Sequence, residues 1–549
     1  MPKILINERD RTSPGTADSY ANFSVLIVGF AGRTPDEKDE IQPDSNGVYE
    51  FSTAQAFADT IGLVAPRFAK ETGNGQKVVY HYGNQMAYEL LNMGYSIVFK
   101  PISEIKELAD ANFWEIFKDK ASYDFRFITH GLLESSIIDE NESYTALLQS
   151  KDNIELAINE LDKIDSNVKI AQEANPELEE AAAKNEAYSL IRNSFDGFRS
   201  LADGKVYTNY DAARTGTAAD LAAVELSITE LTDGIITTSF INQVNGNIAN
   251  LAKYTAAGAN NTNDIYSQEI SGRGDCVALI ELDENTYVTS TLRPEDSIIN
   301  AINTMTQINA DNGKYCAMTV PSVYYKMAID EEKPNDFGNN TKFPGAFHYL
   351  ACFSNSLKLG FAEWYAAAGY TRGVASYVIE RTSVKLGEIA INALEPRNYS
   401  DPQSDYPKFA CNVIANFRGS YYLWGNRTAH PLGKKGNAST GDLVASSFLN
   451  IRHLCTTVKK QLYVACRAIT FDPNSDALWF DFVNAIRPTL ELMKADQGLR
   501  DYKILKVYTD KKATIKAKIR IVPIEAVEDF DLEVSLEDSF GETAAVVAE

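Results

Sequence analysis

Short apolar runs separated by helical stretches are the feature that most constrains the fold of this chain. Cys276–Leu282 and Lys314–Val320 are apolar runs bounded by turn residues, and the stretch Pro294–Ala310 between them has helical spacing. A strand, a helix and a second strand in this order form a βαβ unit, in which the two strands pair in parallel. We therefore predict a parallel sheet in the middle of the chain.

The N-terminal part of the chain shows the same kind of pattern. Phe23–Phe30 predicts a buried strand, and Thr53–Ile61 predicts a helix capped by Ser52 or Thr53. A second helix over Asn84–Met93 leads into a strand over Tyr95–Pro101, and Phe125–Thr129 predicts a further strand. Because 549 residues are too many for one hydrophobic core, we expect several α/β units.

Residues 152–201 differ from both regions. Apolar residues from Ile154 to Ile164 follow one helical stripe, and Pro176 opens a second helix with a Glu-rich first turn. This amphipathic helical hairpin has two interpretations, a coiled-coil partner site or a solvated surface insert. The polarity of its other faces favours the insert.

The C-terminal region changes from helical spacing to strict alternation. Two amphipathic helices are predicted over about Asp442–Ala468 and Ala477–Ala495, with a turn between them. In Thr514–Val522, isoleucine and alanine then alternate with lysine and arginine, which indicates a half-buried strand.

Charge is distributed unevenly along the chain, whose net charge is −23. Residues 421–520 hold 17 Lys and Arg against 8 Asp and Glu, whereas residues 521–549 hold 9 acidic residues and no basic one. A basic module is thus followed by an acidic tail. The large negative total argues against nucleic acid as a partner, since phosphates would be repelled.

Both terminal segments carry apolar alternation without an evident partner strand. In the acidic tail, apolar residues alternate with mostly acidic ones, and they are Phe530, Leu532, Val534 and Leu536. Ile4 and Ile6 alternate in the same way near the other terminus. We expect these two arms to add strands to sheets of neighbouring subunits, because main-chain hydrogen bonds supply affinity and alternate side chains set the register.

Composition excludes several other classes. The N-terminus lacks the features of a signal peptide, and the longest apolar stretches, such as Val25–Val28, are far shorter than a bilayer helix, so no membrane insertion is expected. Six scattered cysteines (276, 316, 352, 411, 455 and 466) without a Cys-x-x-Cys pair suggest buried free thiols in a reducing compartment.

The sequence lacks the common catalytic motifs. The sequence contains no phosphate-binding loop, no Gly-x-Ser-x-Gly elbow, no His-Glu-x-x-His and no metal-spaced Cys/His cluster, so we expect no catalytic residue, cofactor or metal. His130 follows a predicted strand and is either an active-site residue or a satisfied core histidine, and we favour the latter. The triplet Arg273-Gly274-Asp275 is either an integrin-type motif or a turn, and we favour the turn.

Four segments of the C-terminal third carry a resemblance. They are Trp424-Gly425-Asn426-Arg427-Thr428, Asn450-Ile451-Arg452-His453, Phe471-Asp472-Pro473-Asn474 and Trp479. With these segments in this order, the sequence resembles the contractile tail sheath family of bacteriophages and related injection systems. Asn426 stands where the family usually has a small residue, and His453 where it usually has a second arginine. With similar segments in the N-terminal and middle parts, the resemblance covers about half of the chain and leaves residues 152–201 unmatched.

For the fold, the resemblance implies an α/β and α+β multidomain protein with a subtilisin-like α/β middle domain, mixed α/β N- and C-terminal domains and extended terminal arms. We place an N-terminal arm at 1–22, an N-terminal α/β domain at 23–110, a middle domain at 111–420 with a helical insert at about 150–205, a basic C-terminal domain at 421–524 and an acidic arm at 525–549.

For the function, the resemblance implies a structural subunit that polymerises, in rings that are usually sixfold, into a helical sleeve around a tail tube. Contraction of the sleeve would drive the tube through a cell envelope. The implied partners are further copies of the chain, the tube protein, and the baseplate and tail terminator proteins. The setting is either a virion tail assembled in the host cytoplasm or a bacterial injection device. A hydrolase on a subtilisin-like scaffold is the alternative from another class.

Basic residues on one predicted helix suggest a contact with the tube. Arg452, Lys459, Lys460 and Arg467 fall near one another at helical spacing. Our hypothesis is that they grip an acidic tube surface. A solvated basic face, or pairing with the acidic arm of a neighbour, are the alternatives.

Overall fold

The computed structural model describes residues 23–32, 41–62, 64, 66–71, 78–135, 142–236, 240–253, 272–281, 313–320, 323–325, 341–375, 378–381, 412–430, 445–508, 515–524 and 526. Both predicted arm strands lie outside these residues, as does the predicted helix over Pro294–Ala310.

A large mixed sheet of eight strands forms the centre of the protein. From edge to edge its strands are β15 (Ser420–Trp424), β14 (Asn412–Phe417), β10 (Cys316–Val320), β9 (Val277–Glu281), β6 (Phe127–Thr129), β1 (Ser24–Phe30), β5 (Ser96–Ile102) and β2 (Tyr49–Phe51). All neighbours pair in parallel except β15 with β14 and β2 with β5 at the two edges. The predicted parallel sheet is confirmed.

Eleven helices are present in the described part of the chain. They are α1 (Ala54–Thr60), α2 (Gly83–Asn92), α3 (Ala111–Glu115), α4 (Glu142–Ala174), α5 (Glu180–Ile191), α6 (Tyr210–Leu231), α7 (Phe240–Ala252), α8 (Gly345–Lys358), α9 (Gly369–Arg372), α10 (Leu449–Ala468) and α11 (Asp476–Ala495). Short 3₁₀ turns lie at Ile105–Ala109, Ile116–Lys118, Asp196–Phe198 and Ala445–Ser447. The Thr53 hydroxyl caps α1 by accepting a hydrogen bond from Ala56 N–H at 3.3 Å, as predicted.

Helices cover both faces of the large sheet. Because side chains alternate along β1, Val25 and Ile27 pack under α1, α2 and α8, whereas Leu26 and Val28 pack in the cluster that includes α3 and α7. The sheet is therefore buried on both sides, which explains why its strands are continuous apolar runs rather than alternating ones.

Strand pairing in the large sheet crosses two of the predicted domain boundaries. Strand β1 pairs with β5 on one side and with β6 on the other, so the sheet crosses the boundary that we placed between residues 110 and 111. At the other edge, β14 and β15 form one hairpin across the boundary at residue 421. The proposed N-terminal and middle domains thus share one sheet, because strand pairing joins segments distant in sequence.

Two smaller sheets lie beside the large one. One has the order β7 (Leu132–Ser135), β4 (Val78–His81), β3 (Arg67–Glu71) and β8 (Thr232–Ile236). The other joins β12 (Thr341–Phe343), β11 (Val323–Tyr325) and β13 (Val378–Arg381).

The helices α4, α5 and α6 form a separate unit between β7 and β8. They enclose an apolar cluster of their own, which includes Leu161, Tyr188, Phe198 and Tyr210. The predicted helical hairpin corresponds to α4 and α5, and α6 extends the insert beyond the predicted end at about 205.

The C-terminal region is built on the helix pair α10 and α11, as predicted, and carries a hairpin. Strand β16 (Leu499–Val507) pairs antiparallel with β17 (Lys516–Pro523). The apolar cluster beneath the hairpin includes Phe482, Ile486 and Leu490 of α11. The whole chain is thus a mixed α/β protein with several sheets and separate apolar clusters.

Candidate functional site

The carboxyl edge of the large sheet is where α/β proteins usually bind ligands. His130 lies there, directly after β6. Its Nε2 lies 2.8 Å from Asn245 Oδ1, and its Nδ1 accepts a hydrogen bond from Leu132 N–H at 2.9 Å. Burial lowers the pKa of His130 to about 4, so the ring is neutral near pH 7. The interpretation of His130 as a satisfied core histidine is confirmed.

Two other polar side chains at this edge, those of Asn84 and Glu281, are also hydrogen-bonded within the protein. Asn84 Nδ2 donates to Phe30 O at 2.7 Å, and Asn84 Oδ1 accepts from Phe30 N–H at 2.8 Å. The carboxylate of Glu281, at the end of β9, accepts from Gly345 N–H at 2.9 Å and Ala346 N–H at 3.2 Å, the first amides of α8. An anionic ligand would bind at such a helix N-terminus, and here a protein carboxylate takes that position.

Within the described ranges, no group of three or more His, Cys, Asp or Glu is placed to hold a metal ion. In those same ranges, every helix is too short or too polar to span a bilayer.

The triplet Arg273-Gly274-Asp275 is part of the protein interior. Arg273 and Asp275 are buried and form a salt bridge in which Arg273 Nε lies 3.0 Å from Asp275 Oδ1. Arg273 Nη1 also donates to Phe117 O at 2.8 Å, and its guanidinium stacks over Phe125. The triplet is a turn that leads into β9, as favoured from the sequence, and cannot present its side chains to a receptor.

The Trp424–Thr428 segment closes the edge of the large sheet next to α10. Gly425 has a φ of 152°, and a Cβ at this position would lie 2.8 Å from Asn412 Cα, so glycine is required. The side chain of Asn412 bridges Arg427, donating from Nδ2 to Arg427 O and accepting at Oδ1 from Arg427 N–H, both at 2.9 Å. The guanidinium of Arg427 lies over the ring of Phe448.

Asn426, one of the two departures from the pattern that the sequence resembles, ties this turn to the first turn of α10. Its Nδ2 donates to Asn450 Oδ1 at 2.8 Å, and its Oδ1 accepts from Asn450 N–H at 3.0 Å. The departure from the family pattern is therefore matched by a reciprocal pair of buried asparagines.

His453, the second departure, lies in an aromatic pocket under α10. Its Nε2 lies 2.6 Å from the Tyr349 hydroxyl, and its ring contacts those of Phe127 and Phe353. Burial, and next the charges of Arg126 and Arg452, hold the pKa of His453 well below 6.5. A neutral ring at this position packs α10 onto the sheet.

Arg126, which directly precedes β6, fastens α10 to the large sheet. Its fully buried guanidinium donates from Nη2 to His453 O at 2.9 Å and to Thr457 Oγ1 at 2.6 Å. The carboxylate of Glu363 balances this charge, since Glu363 Oε1 lies 3.8 Å from Arg126 Nη1. The same oxygen accepts a hydrogen bond from the Thr457 hydroxyl at 2.8 Å. No pattern in the sequence indicates this contact, because its partners are distant along the chain.

The four basic residues predicted to face a tube do not form one exposed face. Arg452 is 7% exposed and stacks over Tyr315. Lys459 Nζ donates to Gly274 O at 2.8 Å, and burial lowers the pKa of Lys459 to about 8. Lys460 forms a salt bridge with Asp124. These three contact the large-sheet side of the molecule, and among the four only Arg467 is exposed.

The turn between α10 and α11 contains the remaining residues of the family pattern. Phe471 has a φ of 78° and is 99% exposed, which is a strained backbone conformation for a bulky residue. Pro473 and Asn474 are exposed as well. Trp479 is only half-buried and packs on Phe482 of α11. This turn therefore presents an aromatic ring to the surroundings of the subunit.

The β16–β17 hairpin has two chemically distinct faces. Ile504 is opposite Ile519 and Tyr502 is opposite Ile521, and these residues pack on the helix cluster. On the other face Lys503 is directly opposite Arg520, and Leu505 is opposite Lys518. The sequence predicted β17 but missed β16, whose alternation is interrupted by consecutive apolar residues at 504 and 505.

The edges of this hairpin are the open feature of the C-terminal region. Within the described residues, the sheet consists of β16 and β17 alone, so the outer edge of each strand has no partner strand. Unpaired edges of this kind accept an additional strand from another chain.

Comparison with known structures gives remote likenesses over nearly the whole chain. One is a chain of the anti-feeding prophage (AFP) baseplate, seen by sixfold-symmetrised cryo-EM, with TM-score 0.49, 11% identity and coverage of 98% of this chain and 99% of that chain. Another is the PVC sheath complex of an extracellular contractile injection system in the contracted state, with TM-score 0.44, 12% identity and 98% of each chain.

The AFP helical sheath in the contracted state gives TM-score 0.43 and 12% identity over 98% of this chain and 99% of that chain. No family model matches the sequence, and no curated protein matches it. At these identities and TM-scores the likenesses assign no function by themselves.

Proposed function

We propose that this chain is the structural subunit of a contractile sheath, which polymerises by strand exchange and has no catalytic role. The observation that carries the proposal is the two-stranded sheet β16–β17, open at both edges among the described residues and mounted on α10 and α11. An exposed sheet edge is a liability for a monomer, and a polymer-forming protein turns it into a binding site.

The two terminal arms supply strands of matching character. The segments around Ile4 and Ile6 and around Phe530, Leu532, Val534 and Leu536 alternate as a half-buried strand does. The hairpin offers an apolar face continuous with α11 and a polar face toward its surroundings. A neighbour's arm that joined either edge would extend both faces, and two arms would link each subunit to two others.

The C-terminal residues of the family pattern support the same assignment. Asn412, Asn426 and Asn450 join the turn after β15 to α10, and Arg126 joins α10 to β6. The hairpin is thus carried by helices that are fixed to the large sheet. Such a subunit moves as a rigid body, while the arms act as flexible connections between rings.

The remaining details of the proposal are those implied by the resemblance to contractile tail sheath proteins. Subunits form hexameric rings stacked into a sleeve around a tube, with baseplate and terminator proteins at its ends. A metastable extended lattice supplies the work of contraction, so no nucleotide is required. The middle part of the large sheet corresponds to the family's subtilisin-like domain, and the device is a bacteriophage tail for genome ejection, assembled in the host cytoplasm, or a bacterial injection system. Arg467, exposed on α10, remains the candidate for a tube contact.

Electron microscopy of the purified chain tests the proposal. Negative stain is expected to show hollow striated sleeves or rings for the full chain. Deletion of residues 526–549 is expected to abolish these while the circular dichroism spectrum stays that of the folded protein, because the deletion begins beyond the hairpin. A folded full chain that stays dispersed at high concentration would refute the sheath assignment. A truncated chain that still assembles would refute strand exchange through the C-terminal arm.

A further inference from the structure

We infer that the protein binds a phosphate group at the amino edge of the large sheet, where α10 packs beside Tyr315, and that Arg452, Lys459 and Lys314 hold it. The inference goes beyond the proposed function and does not depend on it, because the site lies within one subunit.

Among the described residues, three positively charged side chains converge on the ring of Tyr315, the residue directly before β10. The distances to the centre of the ring are 4.7 Å from Arg452 Cζ, 5.2 Å from Lys459 Nζ and 5.5 Å from Lys314 Nζ. An aromatic ring attracts cations, but cations gathered around one ring also repel one another. A negative charge bound among them would turn this repulsion into attraction.

Arg452 is the member of this cluster that most lacks a partner. Its side chain is 7% exposed, and its Nε is buried without a hydrogen-bond acceptor. In the part of the chain that the structure describes, the guanidinium contacts the ring of Tyr315 and forms no hydrogen bond or salt bridge. Burial removes water from its N–H groups without replacing it. These planar, forked N–H groups suit two oxygens of one phosphate.

The buried carboxylate of this region is already engaged. Asp275 precedes β9 at the same edge of the sheet, and its Oδ1 lies 3.0 Å from Arg273 Nε. Its Oδ2 lies 3.9 Å from Lys460 Nζ. Asp275 is thus held by two other cations. A phosphate dianion suits a cluster of three cations better than a single carboxylate does, because it neutralises two of the three charges.

The cluster is accessible from solvent. Lys314, Cys455 and Lys459 are partly exposed. On α10, Cys455 follows Arg452 by three residues and Lys459 follows it by seven, so all three lie on one face of the helix. A small anion therefore reaches the guanidinium of Arg452 along this face.

Lys459 makes anion binding depend on pH. Burial, and next the charge of Arg452, lower the pKa of Lys459 to about 8. A bound anion favours the charged amine, so binding raises this pKa, and the affinity for the anion falls once the pH exceeds about 8. The charged and titratable groups that surround Lys459 are Arg452, Cys455, Lys120, Asp275, Lys314 and Tyr315.

Isothermal titration calorimetry of the full chain with inorganic phosphate near neutral pH tests the site. We expect one phosphate to bind per chain and Arg452→Gln to weaken binding about tenfold or more, because it removes charge-assisted hydrogen bonds. Arg467→Gln, at an exposed arginine of the same helix, is the matched control and should bind phosphate normally. A folded chain that binds no phosphate, or equal affinities in the unmodified chain and Arg452→Gln, would overturn the inference.

Urea unfolding distinguishes a binding role of Arg452 from a structural one. Without phosphate, Arg452→Gln is expected to be at least as stable as the unmodified chain, because the substitution removes an unpaired buried charge. Phosphate should raise the urea midpoint of the unmodified chain and of Arg467→Gln more than that of Arg452→Gln. Sodium chloride at the same ionic strength is the control for screening. Equal increases in phosphate and in sodium chloride would count against a specific site.

Sulfate is the probe for the pH dependence, because its charge stays constant over the range measured. The affinity of the unmodified chain for sulfate should fall about tenfold from about pH 7 to about pH 9 as Lys459 loses its proton. Lys459→Arg stays charged over this range and should bind sulfate equally at both values. The same decrease in both proteins would place the titrating group elsewhere and overturn the site.

A comparison of inorganic phosphate with AMP identifies the source of the phosphate group. Tighter binding of AMP indicates an organic phosphate as the ligand, and tighter binding of inorganic phosphate indicates the free ion. Either result supports the site provided that Arg452→Gln weakens it. Binding of AMP that is unaffected by Arg452→Gln would contradict the inference. Formation or absence of sleeves tests only the proposed function.

Discussion

Three buried histidines make the stability of the subunit sensitive to acid. Burial lowers the pKa of His130 to about 4 and that of His81 to about 3, and it holds the pKa of His453 well below 6.5. Below pH 6.5 the unfolded chain binds protons at these rings and the folded chain does not. Their contribution to stability is therefore complete above pH 6.5 and is lost as the pH falls toward the folded-state values.

We expect the free energy of unfolding to decrease by about 2 kcal/mol for His130 alone between about pH 6.5 and about pH 5, with a similar amount from His81 and a decrease in the same direction from His453. Urea unfolding followed by tryptophan fluorescence at several pH values measures this slope. His130→Gln is expected to be less stable at neutral pH but to show a shallower slope over the same range. An unchanged slope in this variant would show that His130 is not a source of the pH dependence.

At the scale of secondary structure elements, α10 connects the β16–β17 hairpin to the large sheet. Arg126→Met removes the donor to His453 O and Thr457 Oγ1 and leaves Glu363 buried without its counter-charge. Leaving a buried charge unpaired costs about 3–5 kcal/mol. We expect urea unfolding to show this decrease in the free energy of unfolding for Arg126→Met. The decrease should be smaller for Arg126→Met/Glu363→Leu, because the double variant buries no charge. Equal losses in the two variants would mean that Arg126 acts through packing alone.

The sequence predicted the elements with strong periodicity and missed those that depend on distant partners. Strands β1, β5, β9 and β10 were recognised because burial on both faces makes them continuous apolar runs. The position of β6 between β1 and β9 was not predictable, because parallel pairing joins segments far apart in the chain. For the same reason the sequence did not indicate that the sheet crosses the predicted boundary at residue 110.

In the candidate site too, local patterns were predicted from the sequence, whereas contacts with distant segments were not. The β17 strand was predicted from alternation, and the α10–α11 pair from helical spacing. Gly425 of the Trp424–Thr428 turn was singled out by the resemblance of the sequence to the contractile tail sheath family. The burial of Lys459 and Lys460 was not, because their partners Gly274 and Asp124 are supplied by other parts of the chain. A basic residue at helical spacing looks the same in sequence whether it faces solvent or a carbonyl.

At the scale of the whole molecule, the chain combines a large sheet, the β16–β17 hairpin and a helical insert with a separate apolar core. The cluster of α4, α5 and α6 contains none of the residues that form the clusters on either side of the large sheet. Among the insert residues whose side chains the structure describes, Leu148 and Ile228, near the base, are the ones that pack against the large-sheet cluster. The part of the insert beyond Leu148 and Ile228 thus packs around its own apolar cluster and not against the large sheet.

Excision of residues 152–224 tests this separation. Lys151 of α4 and Glu225 of α6 lie side by side, with Nζ 2.9 Å from Oε1, so a Gly/Ser linker of about four residues closes the gap as a short helical hairpin. Leu148 and Ile228 keep their contacts with the body.

We expect the shortened chain to fold and to form sleeves in negative stain with less mass per subunit, since the hairpin and both arms are unchanged. The same linker inserted into the turn between α4 and α5 of the full chain is the matched control. If the control assembles and the shortened chain stays folded but dispersed, the insert carries a subunit contact. Loss of folding in the shortened chain alone would instead show that the insert supports the large sheet beyond Leu148 and Ile228.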